Sequence, residues 1–257
     1  MKKWISFYRT LVSVVLMLST QLVLAADPSK YFGGDSLVLA KAIRAGRVET
    51  IQNLSEDLNL NQVHNNDMTL LAYAMLVKQS KAIKQLVHGG ADPLQYTEGL
   101  GQPLVIAASG KAEFLKAFLD AGVDPNSRDR WGMPILFMTL DSKNDDKVKL
   151  LIDYGVNLEI RSQRTSRGAL DHAFTGLNYD RVEYLIKQGL NNFLVENVNG
   201  LSFAYLLQEE LDHQSQDQST AAFKKLLTLK TLLQDRGVEF PIAPSEKLRR
   251  HREKMKK

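Results

Sequence analysis

The sequence contains no cysteine among its 257 residues. Disulfide bonds are therefore excluded, although exported proteins commonly use them. The same absence excludes the lipid-modified cysteine of a bacterial lipoprotein and the thiolate ligands of structural zinc sites. The five histidines stand apart from one another, and none belongs to a His-Glu-x-x-His pair. The residue pattern accordingly predicts no metal site.

Motifs for catalysis are also lacking. No Gly-x-Ser-x-Gly elbow and no phosphate-binding loop occurs in the sequence. Gly99-Leu100-Gly101 resembles the start of a dinucleotide fingerprint, but the third glycine and the preceding strand are missing. Asp171 and His172 are adjacent, and neighbouring residues on a helix diverge by about 100° around its axis. We therefore predict no catalytic residue, no cofactor and no enzymatic activity.

A single long apolar run is present, and it lies near the N-terminus. The residues that make the start of the chain basic are Lys2, Lys3 and Arg9. The apolar run from Leu11 to Leu24 is shorter than the about 20 residues that a spanning helix needs. This pattern predicts a cleavable signal peptide, residues 1–25, with the cut after Ala25 or Ala26. The short signal is typical of bacteria and predicts the periplasm, with an uncleaved inner-membrane anchor as the alternative.

Net positive charge is confined to the two ends of the chain. The formal net charge is +4, and loss of the predicted signal lowers it to +1. Residues 246–257 hold seven Lys or Arg and two Glu, a net +5, so the body between the ends carries −4. Nucleic-acid binding needs a basic stripe on the folded surface, and we predict no such partner. Residues 245–257 are predicted to be a basic flexible tail in weak contact with an anionic surface.

A Gly-x-Asp/Asn string recurs along the chain at a nearly constant interval. Its glycines are 32, 33 and 34 residues apart. The four strings begin at Gly90, Gly122, Gly155 and Gly189. Each string follows a short apolar run with helical spacing. A period of about 33 residues, with a helix pair and a turn in each unit, is typical of ankyrin repeats.

The segments that open the first helix of each unit resemble the ankyrin string Gly-x-Thr-Pro-Leu-His-x-Ala. They begin at Asp67, Gly101, Gly132, Ser166 and Gly200. Thr69 and Ser202 are predicted helix N-caps, because their hydroxyls can accept bonds from unpaired backbone N–H groups. The recurring glycines are predicted to end the second helices with positive φ. The resemblance implies an all-α ankyrin-repeat solenoid of five to six helix-turn-helix units joined by finger loops.

The resemblance implies one ankyrin-repeat domain over residues 26–244. Its units are predicted near residues 35–66, 67–98, 99–130, 131–163, 164–196 and 197–240. The last unit is too long, because its closing Gly237 follows Gly189 by 48 residues, about 15 more than the repeat period. Its surplus is the polar stretch from Gln208 to Thr220, which we expect to lengthen or separate the last two helices.

Ankyrin arrays bind mainly through their finger tips and the exposed face of their first helices, and the resemblance places candidate contacts there. The predicted partner-binding residues are Trp131, Tyr96, Arg161 and Arg164 in the fingers, with His172 and Tyr73 on the first helices. Tyrosine, tryptophan and arginine are enriched at interface hot spots. Packing between repeats is the alternative for Trp131. An ordinary solvated loop is the alternative to a docking patch for acidic groups at Arg161, Arg164 and Arg167.

Together these features predict a non-enzymatic periplasmic protein-binding module, monomeric when free. Its most concrete form is an immunity-type inhibitor that binds and occludes a secreted antibacterial toxin. The alternatives are a scaffold or stress-protection factor for an endogenous periplasmic enzyme, and an enzyme or host-directed effector on an ankyrin frame. The predicted export signal argues against direct injection into a host.

Overall fold

The computed structural model describes residues 26–140, 145–215 and 218–255. The predicted signal peptide, residues 1–25, lies outside the described residues. In the described part every regular element is a helix, and β-type pairing is limited to two isolated bridges, Thr97 with Gly101 and Arg128 with Pro134. The described chain divides into two compact units, residues 26–103 and 104–255.

The first unit contains two helix pairs. Its helices are α1 (Gly34–Arg44), α2 (Val48–Ser55), α3 (Leu70–Leu76) and α4 (Ser80–His88). Helix α1 packs against α2 and α3, and α4 packs against the same two helices. The apolar residues that are fully buried between them include Leu39, Ile43, Ile51, Leu70 and Ile83. Each helix is short and exposes a polar face, so its stability depends on this packing.

The second unit continues the alternation of short helices. They are α5 (Pro103–Ser109), α6 (Ala112–Asp120), α7 (Ile135–Leu140), α8 (Asp146–Asp153), α9 (Ala169–Thr175), α10 (Tyr179–Lys187), α11 (Phe203–Gln214), α12 (Ala221–Gln234) and α13 (Glu246–Met255). The first helices of three successive pairs, α7, α9 and α11, pack side by side in one row. Among the second helices, α6 contacts α8, and α10 contacts α12. Each of the six predicted repeat units contains one helix pair.

The predicted N-caps are confirmed. The Thr69 hydroxyl accepts a bond from the Ala72 N–H at 3.2 Å, and the Ser202 hydroxyl accepts one from the Tyr205 N–H at 3.2 Å. Helix α3 therefore begins after Thr69, and helix α11 begins after Ser202. These two helix starts could be predicted because capping needs only residues close in sequence.

The recurring glycines lie in the left-handed region, as predicted. Their φ angles are +98° at Gly90, +86° at Gly122, +81° at Gly155 and +101° at Gly189. No heavy atom lies within 4 Å of a Cβ built on Gly155. Its requirement for glycine is therefore conformational, since a side chain at this φ strains the backbone without meeting a neighbour.

Replacing Gly155 by valine is expected to lower the free energy of unfolding by more than about 1 kcal/mol. The matched control is Gly176→Ala. Gly176 ends helix α9 with φ −79°, and its added Cβ would lie 3.5 Å from the Ala173 carbonyl oxygen, an ordinary contact. Urea melts should show the loss for Gly155→Val alone. Equal midpoints for that variant and the parent would contradict the strained turn.

The segment that precedes α1 packs onto the first unit through an aromatic cluster. Phe32 is buried and lies edge-on to Tyr73, with ring centroids 5.2 Å apart, and to His64 at 4.8 Å. The Tyr73 hydroxyl donates to the Ala26 carbonyl oxygen at 2.6 Å. Burial raises the pKa of Tyr73 to about 12. Residues 26–32 therefore cover Tyr73 on α3, and residues 28–30 also contact α1.

Acid is expected to destabilise this cluster through His64. Burial holds the pKa of His64 below its ordinary value of 6.5, because the imidazolium would be poorly solvated there. The unfolded chain then binds a proton more readily than the folded one, so the free energy of unfolding falls as pH falls through about 6.5. Replacing His64 by glutamine should flatten this part of the pH profile. Urea melts between pH 7.5 and 5.5 test this, and parallel profiles for parent and variant would contradict it.

The C-terminal segment, which we predicted to be a basic flexible tail, contains a helix, and its flexibility stays a prediction. Residues 246–255 form α13, and the Leu248 side chain is 6% exposed. The Ser245 hydroxyl donates to the Gly200 carbonyl oxygen at 2.8 Å and accepts a bond from the Leu248 N–H at 3.2 Å. One apolar side chain and one capping serine therefore anchor the start of this basic segment. Its predicted contact with an anionic surface stays a prediction.

The last repeat is longer, as the polar insertion predicted. Helix α11 has 12 residues and α12 has 14, whereas α9 has 7. The surplus extends α11 to Gln214 before α12 begins at Ala221. Lys225 of α12 pairs with Asp180 at 2.7 Å and with Glu183 at 2.6 Å on α10. The insertion thus lengthens both helices.

Candidate functional site

Three successive finger loops of the second unit are joined by their main chains. The Gln163 N–H donates to the Gly132 carbonyl oxygen at 3.2 Å, and the Val198 N–H donates to that of Thr165 at 3.0 Å. Each bond links the tip of one finger to the next. The fingers that follow α6, α8 and α10 therefore hold a common register.

Two arginines at corresponding positions reinforce these links. Arg128 donates from Nη1 to the carbonyl oxygens of Gly132, at 3.0 Å, and of Arg161, at 2.7 Å. Arg161 repeats the pattern one finger later, donating from Nε to the Ser166 oxygen at 2.5 Å and from Nη2 to the Val195 oxygen at 3.3 Å. Each guanidinium thus closes its own finger and ties it to the following one.

Arg161 also faces a buried carboxylate. Its Nη2 lies 3.8 Å from Oδ2 of Asp171, whose side chain is 3% exposed. The Asp171 carboxylate accepts the Gly168 N–H at 3.0 Å and thereby caps α9. Burial raises the pKa of Asp171, while the Gly168 N–H and the charges of Arg161 and Arg167 act in the opposite direction. Sequence reasoning placed Arg161 on a docking surface and missed this internal role.

Trp131 and Arg164 are the predicted contacts that the structure leaves exposed in the second unit. The Trp131 side chain is 54% exposed, and the Arg130 guanidinium lies 5.2 Å from its ring centroid. Asp129 fixes the loop by accepting the Trp131 N–H at 2.9 Å. Arg164 is exposed on the next finger, and Tyr96 is 41% exposed in the first unit. Their role in partner binding stays a prediction.

The two predicted contacts on first helices are placed differently. His172 is partly exposed on α9 and stacks on Phe137 of α7, with ring centroids 5.1 Å apart. Tyr73 is completely buried, because residues 26–32 cover it, so its side chain presents no surface to a partner in this structure. Phe193, on the finger that follows α10, is also only 3% exposed and belongs to the core.

Sequence reasoning missed three exposed apolar residues on the finger before α11. Leu194, Val195 and Val198 are 58%, 47% and 42% exposed. The backbone bond from Val198 to Thr165 sets this finger beside the one that carries Arg164. A search for aromatic and arginine side chains passes over aliphatic ones. The available signal was three consecutive apolar residues, 193–195, in a loop that can bury only part of them.

These residues define what we call the finger surface of the second unit. Its members are Arg130, Trp131, Arg164, Leu194, Val195 and Val198. They combine two cationic groups with four exposed apolar side chains on three bonded fingers. Such a surface can bury apolar area against a partner and pair with its acidic groups. Glu196, also exposed, adds one negative charge.

The residues that the structure describes offer neither a cluster of metal ligands nor a membrane-spanning helix. They contain no cluster of three or more histidine, aspartate or glutamate side chains placed to hold a metal ion. None of their helices has both the length and the apolar character needed to cross a bilayer.

Helix pairs joined by protruding, mutually bonded fingers define a repeat protein of the ankyrin type. Residues 104–197 match the family model for ankyrin repeats, with three copies. Among solved structures, the chain is similar to the crystal structure of the ankyrin-repeat domain of Bcl-3, described as a unique member of the IkappaB protein family. That similarity has a TM-score of 0.59 at 20% sequence identity and covers 76% of this chain and 84% of that chain. Comparison with curated protein sequences finds no significant match.

The fold class is therefore confirmed: the described chain is helical and has the ankyrin-repeat fold. Ankyrin repeats indicate a protein–protein interaction module, and proteins of this kind are generally non-enzymatic. The fold thus indicates that the exposed surfaces of the repeats can bind another protein.

Proposed function

We propose that this chain is an exported module that grips a protein partner through the finger surface in the periplasm. The observation that carries the proposal is Trp131, an aromatic side chain that stays half-exposed beside Arg130 on a loop whose backbone is fixed. A large rigid side chain loses little conformational entropy on binding and buries much area. Export rests on the predicted signal of residues 1–25, with cleavage after Ala25 or Ala26.

The finer form of the proposal is an immunity-type inhibitor that occludes a secreted antibacterial toxin. Occlusion works by shape, so it requires a surface that keeps one conformation. The bonds from Arg128 and Arg161 to carbonyl oxygens of neighbouring fingers support that requirement. A preorganised surface also avoids the ordering cost that weakens association.

The test is capture of the partner from the native periplasm. The full-length gene is expressed with an affinity tag at its C-terminus, and co-purified proteins are identified by mass spectrometry. A Trp131→Ala/Arg164→Ala variant serves as the control for finger-dependent capture. Capture of a toxin whose activity the module inhibits supports immunity, whereas an endogenous enzyme with unchanged activity supports the scaffold alternative.

The same preparation tests export. N-terminal sequencing should find Ala26 or Asp27 as the first residue in the periplasmic fraction. Recovery of intact Met1 in the membrane fraction would replace the exported form by an anchored one.

A further inference from the structure

A cavity of about 540 Å³ opens in the second unit, and none of the residues that define the finger surface lines it. The end of α9, the loop to α10 and one side of α11 line it. Phe174, Tyr179 and Leu206 supply apolar lining, and the aromatic rings of the first two have centroids 5.4 Å apart. Its volume lies in the range of about 300–1,000 Å³ that small-ligand sites occupy.

The cavity exists because the last repeat carries an insertion. Gly168 precedes α9 and Ser202 precedes α11, so Thr175 and Glu209 stand at equivalent positions seven residues later. Helix α9 ends at Thr175, whereas α11 continues to Gln214. The extension of α11 therefore continues past the position at which α9 ends, and it forms one wall of an open space.

Leu177 at the rim is chemically unexpected. Its side chain is 71% exposed, and its φ is +57°, a conformation that disfavours residues with a bulky side chain. Glycine or asparagine would suit this turn better, and neither would expose apolar surface. An exposed, strained leucine contributes little to folding, and a locally unfavourable residue of this kind points to a binding role.

The other side of the rim is acidic. Glu209 accepts a bond from the Tyr205 hydroxyl at 3.0 Å, and Glu210 accepts one from the Gln214 side-chain amide. A carboxylate has about four acceptor positions, so it can pair with a cationic ligand while it accepts an internal bond. The His213 imidazole also lines the cavity, and Arg167 approaches it through a bond to the Thr175 hydroxyl at 2.5 Å.

We propose that this cavity binds an apolar side chain flanked by lysine or arginine, presented by an extended peptide segment. Phe174, Tyr179 and Leu177 would surround the apolar group, and Glu209 and Glu210 would pair with the flanking cations. Charge complementarity selects the basic peptide over an acidic one. The site uses side chains outside the finger surface, so it can be tested whether or not the finger proposal holds.

The probe is the blocked tripeptide Lys-Leu-Lys, titrated into the isotopically labelled full chain and followed by NMR. We expect saturable binding with roughly millimolar affinity, and shifts centred on Leu177, Tyr179 and Leu206. A Glu209→Gln/Glu210→Gln variant should bind about five- to tenfold more weakly, since it loses two partly exposed charge pairs. Leu177→Asn, which suits the turn and keeps the fold, should also weaken binding.

Two controls separate this site from the finger surface. Trp131→Ala should bind Lys-Leu-Lys as the parent does, and the peptides Glu-Leu-Glu and Lys-Gly-Lys should bind much more weakly than Lys-Leu-Lys. Absence of saturable binding, shifts centred elsewhere, or unchanged binding by both cavity variants would overturn the proposal. A sensitivity confined to Trp131→Ala would assign peptide binding to the fingers instead.

Discussion

Replacing Trp131 by alanine is expected to weaken capture of the protein partner about thirtyfold, a loss of about 2 kcal/mol. The side chain is 54% exposed, so its removal from the free protein leaves no internal cavity. The free energy of unfolding should accordingly change by no more than about 0.5 kcal/mol. Titration of the variant against the captured partner, together with a urea melt, measures both quantities.

The control for this prediction is Leu227→Ala. Leu227 is 44% exposed on the second helix α12 of the last pair, and thus offers comparable apolar exposure outside the fingers. We expect this variant to bind the partner with the affinity of the parent. Normal binding by Trp131→Ala combined with a loss in Leu227→Ala would move the binding surface from the fingers to the second helices.

Replacing Arg161 by alanine is expected to lower the free energy of unfolding by about 3 kcal/mol. The guanidinium donates to the carbonyl oxygens of Ser166 and Val195 and faces the buried carboxylate of Asp171. Without the guanidinium, the two carbonyl oxygens lose this donor. The buried Asp171 carboxylate also loses the arginine that faces it. Arg164→Ala, on the same finger but exposed, should change stability by less than about 0.5 kcal/mol.

A double-mutant cycle separates the charge from the carbonyl bonds. Asp171→Asn keeps an acceptor for the Gly168 N–H and removes the buried charge. The double variant with Arg161→Ala should lose clearly less free energy of unfolding than the sum of the losses in the two single variants. Exact additivity would show that Arg161 and Asp171 act independently, and equal stability of Arg161→Ala and Arg164→Ala would show that the finger bonds contribute nothing.

Much of the fold could be predicted because its signals are local. The N-cap at Thr69 and the positive φ at Gly155 depend on residues within one turn of the chain, and the glycine period is visible in residue identity alone. The polar insertion from Gln208 to Thr220 predicted that the last two helices are longer or further separated, and the structure shows that they are longer. The C-terminal segment was harder to predict, because one leucine, Leu248, decides where it anchors and a count of apolar residues gives it little weight.

The candidate site was predictable only in part. Residue type and loop position identified Trp131 and Arg164 as exposed finger residues. The same reasoning treated Arg161 as their equivalent, although its neighbours in space are carbonyl oxygens and a carboxylate. Tyr73 is a tyrosine on a first helix, and both features predicted partner contact. Residues 26–32 pack over it and bury it.

The sequence by itself determined the repeat length, the helix ends, the absence of disulfides and the placement of net positive charge at the chain ends. Each of these follows from residue identity or from interactions a few residues apart. Tertiary structure decided which side chains remain available to a partner. Burial of Tyr73, the bonds of Arg161 and the cavity beside Leu177 all depend on segments distant in sequence that folding brings together. The exposure of a side chain depends on which of these distant segments pack against it, so residue type alone could not predict it.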